Sequence, residues 1–488
     1  MTLSLALSNA VSGIRATTLQ TELISNNISN ALTEGYGRRE AALSVAAVGG
    51  VGGGVRTDAV VRASAPGVQA AFRISAAGAG DADARAAAMA RIADAVGEPG
   101  EVGALATAAD RLDSAIAAAA DTPESGALLA DVVFASNGYA AAINRIAAET
   151  MALRTEADSS IASQVRTLND TLTKVQSLNA EIKGRSIGGG DISALEDQRD
   201  RLIRNVSGMI PIKVVPREFG TVALFAKNGA QLLDGKVFEL GFEPTALVTP
   251  EKSLGNGALS GLTINGIPVP IGSGNGRGLL DGGSLSATFE LRDNVIPEIS
   301  ATLDDLAADL ITRTQGLAAD PTLGPGDAGL FTDDGAAFDP ADLVGVSLRL
   351  SINPEVDPAE NGEVFRIRDG IGAATPGDVG ASGVLRGLQD ALGGLVAAPA
   401  GSGITGRRDA AGFAMEFSGS ALSAASAADG EAAFLRGQND ELSDALVART
   451  GVDSDQELAR LLVVEQAFAA NARVVQVVDD LLEILTRL

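Results

Sequence analysis

The chain has 488 residues, of which 62 are acidic and 37 basic, giving a formal net charge of −25. Because contacts to nucleic-acid phosphates need clustered Lys and Arg, this balance argues against nucleic-acid binding. The chain contains no Cys and no His, which excludes disulfides, Ser-His-Asp and Cys-His catalytic groups and the usual His/Cys zinc sites. Aromatic residues make up only 3%, so Ala, Leu and Val must build the core.

The N-terminal segment predicts a long amphipathic helix. Two seven-residue series run through it: Leu3, Ala10, Thr17 and Ile24, and Leu7, Ile14, Thr21 and Ile28. Bulky residues are sparse in the middle of this stripe, and such a helix gains most of its stability by packing its apolar face. We expect the helix to end near Asn30, with Gly35 permitting the turn beyond it.

The C-terminal segment predicts a second long helix. Gly451 ends the preceding segment, and Ser454-Asp455-Gln456-Glu457 is typical of a capping box. Two seven-residue series follow: Leu461, Phe468, Val475 and Leu482, and Val464, Asn471, Val478 and Leu485. This is the pattern of a coiled-coil seam, in which one polar residue such as Asn471 commonly fixes the register. We therefore expect the two ends of the chain to pair as a coiled coil.

The first half of the interior predicts helices followed by a small β-domain. Residues 76–204 are Ala-rich and helical in pattern, with a break at Asp121-Thr122-Pro123 and a loop at Gly188-Gly189-Gly190. Alternating apolar residues then lead into Asn228-Gly229 and into Asn265-Gly266, which is a strong hairpin signal. Helix returns over 286–319, starting or kinking at Pro297.

The remaining interior is less regular. Val346, Leu348, Leu350 and Ile352 alternate as in a strand, with residues 364–367 as the candidate pairing partner. Helix resumes near 412–450. The prediction is a mainly α fold with inserted β structure, in which a helical-bundle body carries a small β-domain midway. Its expected divisions are the N-terminal helix (1–35), the first part of the helical body (36–205), the inserted β-domain (206–285), the second part of the body with short β elements (286–450) and the C-terminal helix (451–488).

Motifs for catalysis or cofactor binding are weak. The Gly-rich stretches 49–54 and 272–278 fit neither a dinucleotide fingerprint nor a phosphate loop, and we expect flexible loops there. Adjacent carboxylate pairs could in principle do acid–base chemistry, among them Asp304-Asp305, Asp333-Asp334 and Asp479-Asp480. Such pairs arise readily among 62 acidic residues. We expect no enzyme activity, no cofactor and no metal. An acidic carboxylate-dependent hydrolase is the remote alternative, and it would need a pocket with raised carboxylate pKa values.

Polar residues near the end of the first helix, and in the turn that follows it, allow two interpretations. Asn26, Asn27 and Asn30 either bond to their own backbone or join other helices. Tyr36, one of only two tyrosines, either anchors the turn or takes part in an interface. Arg38 and Arg39 could pair with acidic neighbours, and exposed pairs of this kind are worth about 0–1 kcal/mol.

Four segments together resemble one known family. Ser25–Asn30 with the following Thr-Glu-Gly-Tyr, and Gln466–Val475, are similar to the terminal signatures of flagellar rod, hook and hook-associated proteins. Leu195–Leu202, with its Asp-Gln-Arg-Asp sequence, and Leu291–Pro297, with Arg-Asp-Asn, resemble interior helices of the hook-associated members. The resemblance covers both ends and the helical interior, and only loosely the stretches 206–285 and 331–410.

The resemblance implies a structural subunit of the bacterial flagellum that joins hook to filament, its terminal helices loose until neighbouring subunits cover them. The implied partners are further copies in a ring, the hook protein, the next hook-associated junction protein and an export chaperone at the C-terminal helix. A hook or distal-rod subunit is the alternative, against which the interior helices argue. The implied assembly interface comprises Leu3, Leu7, Ile14, Ile24, Asn26, Asn27, Ile28, Asn30, Gly35, Tyr36, Leu461, Val464, Phe468, Asn471, Val475, Val478, Leu482 and Leu485.

The N-terminus does not have the pattern of a secretory signal peptide, because its first charge is Arg15 and polar residues interrupt its apolar ones. We also expect no membrane span, since no segment approaches the roughly 18 continuous apolar residues that one requires. Composition alone predicts a cytosolic protein. The resemblance replaces this prediction with an extracellular place in the flagellum, reached by type III export without a cleaved signal peptide.

Overall fold

The computed structural model describes residues 3–48, 51–271, 278, 280–397 and 406–487, and of residues 48, 51, 52 and 485 it describes the backbone alone. The chain starts with helix α1 (Leu3–Ser29) and an antiparallel hairpin of β1 (Arg39–Val48) and β2 (Val51–Arg62). This hairpin corrects the expectation of a helical body from residue 36. Its strands contain many Ala and Gly residues, so their period-two pattern is faint in the sequence. Part of the expected Gly-rich loop, Val51–Gly54, belongs to β2.

Four helices build the first part of the body: α2 (Pro66–Val96), α3 (Leu105–Asp121), α4 (Gly126–Ile187) and α5 (Ser193–Ser207). Helix α2 has Pro66 in its first turn, where the missing N–H costs nothing. The predicted helix breaks before Pro123 and after Ile187 are confirmed. An additional break between α2 and α3 contains Gly97, Gly100 and Gly103, all at positive φ, a conformation that glycine adopts without strain.

Two small antiparallel sheets follow. The first has the order β3 (Ile212–Pro216), β4 (Val222–Ala226), β5 (Gln231–Asp234), β6 (Lys236–Val237), and the second the order β7 (Leu240–Gly241), β8 (Thr263–Ile264), β9 (Ile267–Pro268). Both predicted Asn-Gly hairpins are confirmed. Asn265 and Gly266 have φ of 50° and 78°, as a type I′ turn requires at its two central positions.

Helix then returns in two pieces, α6 (Ser284–Glu290) and α7 (Ile296–Thr314), joined by a π-helical turn over Leu291–Val295. The Ile296 N–H donates to the carbonyl of Leu291, five residues back. Pro297 lacks an N–H and cannot continue the α-helical pattern at this point. The predicted irregularity at Pro297 is therefore confirmed, and it takes the form of a widened turn just before the proline.

The irregular segment contains short elements: β10 (Phe331–Asp333), α8 (Val346–Arg349), β11 (Leu350–Ile352), α9 (Arg366–Asp369), α10 (Gly383–Gly393), β12 (Val396–Ala397) and β13 (Arg407–Arg408). Single 3₁₀ turns lie at Glu218–Gly220, Pro340–Asp342, Pro354–Val356 and Pro358–Glu360. The strand expected from Val346 is wrong in its first half, because the Asp304 carboxylate caps a helical turn by accepting from the Gly345 and Ser347 N–H groups. Strand β11 pairs with β10. Residues 364–367 are not its partner, since α9 begins there.

Helices α11 (Ala410–Thr450) and α12 (Ser454–Arg487) complete the chain. Helix α11 packs along α2, and α12 packs along α1. The fold is thus mainly helical, with small inserted sheets and packed terminal helices, as the sequence predicts.

Two buried clusters hold the body together. The larger joins α3, α4, α7 and α10 to the start of α11, with Tyr139, Phe331 and Phe413 among its largest members. The second lies between α4, α5, α6 and the first sheet, around Leu224 and Leu233. Burying a side chain of this size contributes about 1.5–3 kcal/mol. A third, small contact between α2 and α11 is made of alanines, which lets these two helices approach closely.

Two helical stretches, Gly126–Ile187 and Ala410–Ile484, are long and apolar enough to cross a membrane by length and composition. This corrects the expectation that no segment approaches that threshold. In the first stretch half of the most apolar window is buried within the protein, and in the second only 11% is. A buried core helix passes the same test, and α4 is such a helix.

Candidate assembly site

Helices α1 and α12 pack side by side in antiparallel directions, and α1 presents a face of small residues. Ala10, Thr17 and Ile24 of the predicted stripe are buried, together with Gly13 and Ala16 beside them. The other predicted members in α1 lie at the edge of this contact: Leu3, Leu7, Ile14 and Ile28 are half-buried, and Thr21 is exposed. The contact face of α1 is therefore narrower and flatter than an ordinary coiled-coil seam.

One of the two predicted stripes of α12 faces this surface. Val464 and Val478 are buried. Leu461, Asn471 and Val475 are half-buried. Phe468 and Leu482 are 43% and 41% exposed. The prediction that both seven-residue series of α12 face α1 is therefore wrong at these two positions. The flat face of α1 covers only one of the two series. The side chain of Leu485 lies outside the described residues.

The two helices approach most closely where Gly13 meets Asn471. A Cβ atom built on Gly13 would lie 2.7 Å from Nδ2 and 2.8 Å from Oδ1 of Asn471. Real Cβ atoms do not come this near another heavy atom, so glycine is required for the contact in this form. Asn471 donates to the Ala467 carbonyl of its own helix at 3.0 Å. The Asn471 amide occupies the space that a side chain at position 13 would fill. This fit gives a steric reason for its predicted role in setting the register.

Asn27 joins four parts of the chain at the end of α1. Its Nδ2 donates to the Arg39 carbonyl at 2.9 Å and to Oε2 of Glu457 at 3.0 Å. Its Oδ1 accepts from the Tyr36 hydroxyl at 2.9 Å and from the Arg39 N–H at 3.0 Å. Asn27 is 0% and Glu457 1% exposed. The hydrogen-bonding capacity of the amide is therefore fully used inside the protein, and it connects α1, the turn, β1 and α12.

Glu457 corrects the predicted capping box. Asp453 caps α12, because its Oδ1 accepts from the N–H groups of Asp455 and Gln456. The Glu457 side chain turns inward to Asn27 and also lies 3.4 Å from Arg460, whose guanidinium pairs with Glu40 at 2.5 Å. The acidic residue that the sequence assigns to a helix cap instead ties the two terminal helices together.

The remaining signature residues lie around the turn. Asn30 donates to the Asn26 carbonyl at 2.9 Å, which is the own-backbone interpretation, and Asn26 itself is exposed. Gly35 has φ of 78°, so the turn uses its conformational freedom as predicted. Burial raises the pKa of Tyr36 above its ordinary value, with the Arg39 guanidinium acting against that effect.

The Asp-Gln-Arg-Asp segment of α5 binds the hairpin to the body. Asp197 accepts from the Gly37 N–H at 3.2 Å and pairs with Arg39 at 2.9 Å and Arg62 at 2.6 Å. Arg62 also pairs with Asp200 at 2.8 Å. These side chains are at most 17% exposed. Both arginines pair with acidic neighbours as considered from the sequence, Arg38 with the exposed Glu40 at 2.8 Å, but the Arg39 pair is buried. Breaking a buried pair by removing one partner typically costs about 3–5 kcal/mol.

The Arg-Asp-Asn segment attaches the inserted sheets to the body. The Arg292 guanidinium pairs with Asp158 of α4 at 2.6 Å and with Asp293 at 2.8 Å, and Arg292 and Asp158 are both fully buried. The rings of Phe242 and Phe289 lie 5.4 and 5.1 Å from the guanidinium carbon. The π-helical turn thus places a cation where it links α4, α6 and the residues after β7.

The carboxylate pairs have structural surroundings. Both oxygens of Asp304 accept hydrogen bonds, from Gly345 and Ser347, although burial raises its pKa. Asp333 pairs with Arg349 at 2.6 Å. Asp479 and Asp480 are exposed on α12. A raised pKa at Asp304 therefore accompanies a helix-capping geometry, in which its lone pairs are already engaged.

Two family models match the chain. Residues 89–320 match the helical domain of flagellar hook-associated protein FlgK, a region that contains the Asp197 and Arg292 ion pairs. Residues 445–488 match the C-terminal domain of flagellar basal body rod FlgEFG proteins. The chain is thus similar to flagellar hook-associated protein FlgK over residues 89–320 and to flagellar rod proteins over its last 44 residues. The interior resemblance seen in the sequence is thereby confirmed for the FlgK helical domain, and the C-terminal one for α12.

One similar solved structure is the flagellar hook junction protein FlgK from Burkholderia pseudomallei, with a TM-score of 0.42 and 19% sequence identity. The match covers 54% of this chain and 46% of that one, so the chain matches less than half the length of this FlgK structure. No curated protein matches the chain.

Several residues of this site are not singled out as contacts by the sequence. They include Gly13, Arg62 and Asp197, and Glu457 was given another role. Gly13 had a usable signal, because a glycine inside a helical heptad pattern commonly marks a close approach. The ion pairs had none, since their partners are separated by more than a hundred residues and the sequence gives no distance between them.

Proposed function

We propose that this chain is a structural subunit of the bacterial flagellum that joins the hook to the filament and is needed for filament assembly. The observation that carries the proposal is a terminal helix pair fixed by Asn27 and Glu457 to a body of the FlgK helical type. The pair supplies a rod-like end that related axial subunits share, and the body supplies the part specific to hook-associated proteins. Its role is assembly and not catalysis, which the use of Asp304 as a helix cap supports.

The exposed side of α12 is the surface through which neighbours would attach. Leu462, Val463 and Val477 are between 55% and 65% exposed. Phe468 and Leu482 share this solvent-facing side, and their place in an assembly interface stays a prediction. Contiguous exposed apolar surface of this kind marks an interaction site in a soluble protein. Its burial by neighbouring subunits would order the ends and couple their folding to assembly.

The proposed partners follow from the same position in the flagellum. They are further copies in a ring, the hook protein, the next hook-associated junction protein and an export chaperone that covers α12 before secretion. The chain would leave the cell by the flagellar type III route without cleavage and act outside it. The five divisions predicted from the sequence remain a proposal for its domain organisation, in which the second division includes the hairpin of β1 and β2. The β-domain would face outward.

Deletion of the gene tests the proposed function. We expect electron microscopy to show bare hooks, and immunoblots of the medium to show shed flagellin, both reversed by a plasmid copy. Absent hooks would move the protein down the axis to the alternative role of hook or distal-rod subunit. Normal filaments would contradict both roles.

A further inference from the structure

Arg201 and Arg204 of α5 lie at the turn around Gly35. The nearby Asp197 and Asp200 are already paired with Arg39, Arg62 and Arg199. A Cβ on Gly35 would lie 3.4 Å from Nε of Arg201 and 3.6 Å from Nη2 of Arg204. Among the ion pairs of the described residues, Arg204 is matched only with Glu34, at 4.0 Å, and that side chain is 85% exposed. In water such a pair contributes little. The turn therefore carries uncompensated positive charge in a chain whose net charge is −25.

Arg73 of α2 adds a further positive charge beside Arg204. Its buried Nε has no hydrogen-bond partner within the described part of the chain. Burial lowers its pKa, the Asp200 carboxylate acts against that effect, and the neighbouring Arg204 charge adds to it. A partly buried guanidinium in these surroundings gains from any carboxylate brought close, because charge-assisted bonds are about twice as strong as neutral ones.

A pocket of 360 Å³ opens beside these arginines, between the turn, the start of α2 and the end of α11. We call it the Gly35 pocket; its lining includes Leu32, Phe72, Arg204, Leu446 and Val447. Leu32 at its rim is 101% exposed. The lining mixes apolar side chains with polar ones such as Gln69 and Ser443, and Glu34 at the turn is its carboxylate. Arg204 makes one side cationic, so the pocket suits a segment with carboxylates next to apolar side chains.

The chain has such a segment near the far end of α12. Asp479 and Asp480 are exposed and form no ion pair among the described residues. The next two residues, Leu481 and Leu482, are 43% and 41% exposed. The two other Asp-Asp pairs of the chain differ, because Asp304 is enclosed as a cap and Asp333 is neutralised by an arginine.

The two features are too far apart to meet within one molecule. Gly451 borders the pocket and α12 starts at Ser454. Asp479 lies 25 residues further on, which at 1.5 Å per residue is about 38 Å along the helix. Complementary patches at two places on one subunit produce head-to-tail contacts between copies, which close into rings or continue as helices.

We propose that Asp479–Leu482 of one copy docks in the Gly35 pocket of a second copy. The contact rests on the proposed function only in requiring that copies lie side by side in the flagellum. Because the copies repel each other through their net charge, this local attraction also specifies which surfaces meet.

Cysteine cross-linking in assembled flagella tests the contact. The chain has no Cys, so Leu32→Cys with Leu481→Cys introduces the only two thiols of the subunit. After mild oxidation of isolated flagella we expect a ladder of disulfide-linked subunits on non-reducing gels. The matched control pairs Leu32→Cys with Leu462→Cys. Leu462 is more exposed than Leu481, at 61% against 43%, and lies about 28 Å before it along α12 at 1.5 Å per residue. The control should give no ladder.

Charge exchange provides the second readout. Arg201→Glu with Arg204→Glu, or Asp479→Arg with Asp480→Arg, should remove most of the ladder from the double-cysteine subunit, and the combination should restore it. Subunits that enter the flagellum but give no ladder, or a control that cross-links equally, would overturn the docking proposal alone. Immunogold labelling distinguishes this from failure of the proposed function, in which the chain would be missing from the hook–filament junction.

Discussion

At the scale of single residues, the chain uses buried polar groups to fix the position of its two ends. Asn27 makes four hydrogen bonds and Glu457 receives one of them while 1% exposed. Such groups stabilise a structure only when every partner is in place, since a buried polar atom without a partner is costly. The site is therefore sensitive to the removal of any one member.

Replacing Asn27 by Ala should lower the free energy of unfolding by about 1–3 kcal/mol, because it removes buried hydrogen bonds to Glu457 Oε2, to the Tyr36 hydroxyl and to the Arg39 backbone. The matched control is Asn26→Ala, an exposed neighbour in the same helix turn, expected to change stability by less than about 0.5 kcal/mol. Urea unfolding followed by circular dichroism measures both. Equal effects of the two substitutions would show that Asn27 has no special role.

Tyr36 gives a pH-dependent prediction. Burial raises the pKa of Tyr36 above 10.0, and burial also raises that of Tyr139, the other tyrosine. Because the folded pKa is higher than the unfolded one, the stabilisation is fully present below pH 10 and is lost as the pH rises through the folded values. The chain has no Trp, so phenolate absorbance reports these two groups alone. We expect the phenolate absorbance to rise only above pH 10 and together with unfolding. Tyr36→Phe should remove half of the amplitude of this rise. An early rise near pH 10 in the intact protein would contradict this.

At the scale of elements, the pairing of α1 with α12 depends on a contact between small surfaces. Gly13 admits Asn471, and Ala10 and Ala16 extend the same face. This geometry brings the helix backbones close and leaves the bulky residues of α12 on the outside.

Gly13→Ala should separate the two helices. Ala is the better helix former by about 0.5–1 kcal/mol, yet its Cβ collides with the Asn471 amide, and overpacking typically costs about 1–3 kcal/mol. The matched control is Gly138→Ala in α4, where an added Cβ meets nothing within 4 Å, and which should stabilise. Asn471→Ala in the Gly13→Ala background should recover the loss. Urea midpoints measure all three, and a Gly13→Ala protein as stable as the control would contradict the contact.

Local patterns predicted the elements that local forces determine. The long helices, the Asn-Gly hairpins and the irregularity at Pro297 follow from periodicity and backbone chemistry. The hairpin of β1 and β2 was missed because its Ala and Gly residues carry little β signal. The helical turn α8 was read as a strand because its cap, Asp304, is 41 residues from Gly345. In the site, the seam positions were partly predictable, whereas the ion pairs of Asp197 and Arg292 depend on the tertiary fold.

At the scale of the whole molecule, stability is unevenly distributed. The body has two buried clusters and several enclosed ion pairs, while α12 buries few side chains along its length. Segments with few buried contacts open at low free-energy cost.

Limited proteolysis of the monomer should therefore remove the terminal helices first and leave a resistant fragment that contains α2 to α10. We expect mass spectrometry to place the earliest cuts in the second half of α12, and the same sites to be protected in isolated flagella. Cleavage of the body and of α12 at equal rates in the monomer would contradict the idea that the ends become ordered on assembly.

The connection between body and terminal helices has a mechanical consequence. The chain passes between them at two places, near Arg38 and near Gly451, and the Arg38 N–H donates to the Thr450 carbonyl at 2.9 Å, so the two crossings lie side by side. In the flagellar position proposed above, torsional load on the helix pair would reach the body through this joint and the adjoining hairpin of β1 and β2. The ion pairs of Asp197 with Arg39 and Arg62 brace it from the side. The joint would then act as a stiffened hinge. Through it the pair of α1 and α12 would transmit twist while the body keeps its own shape.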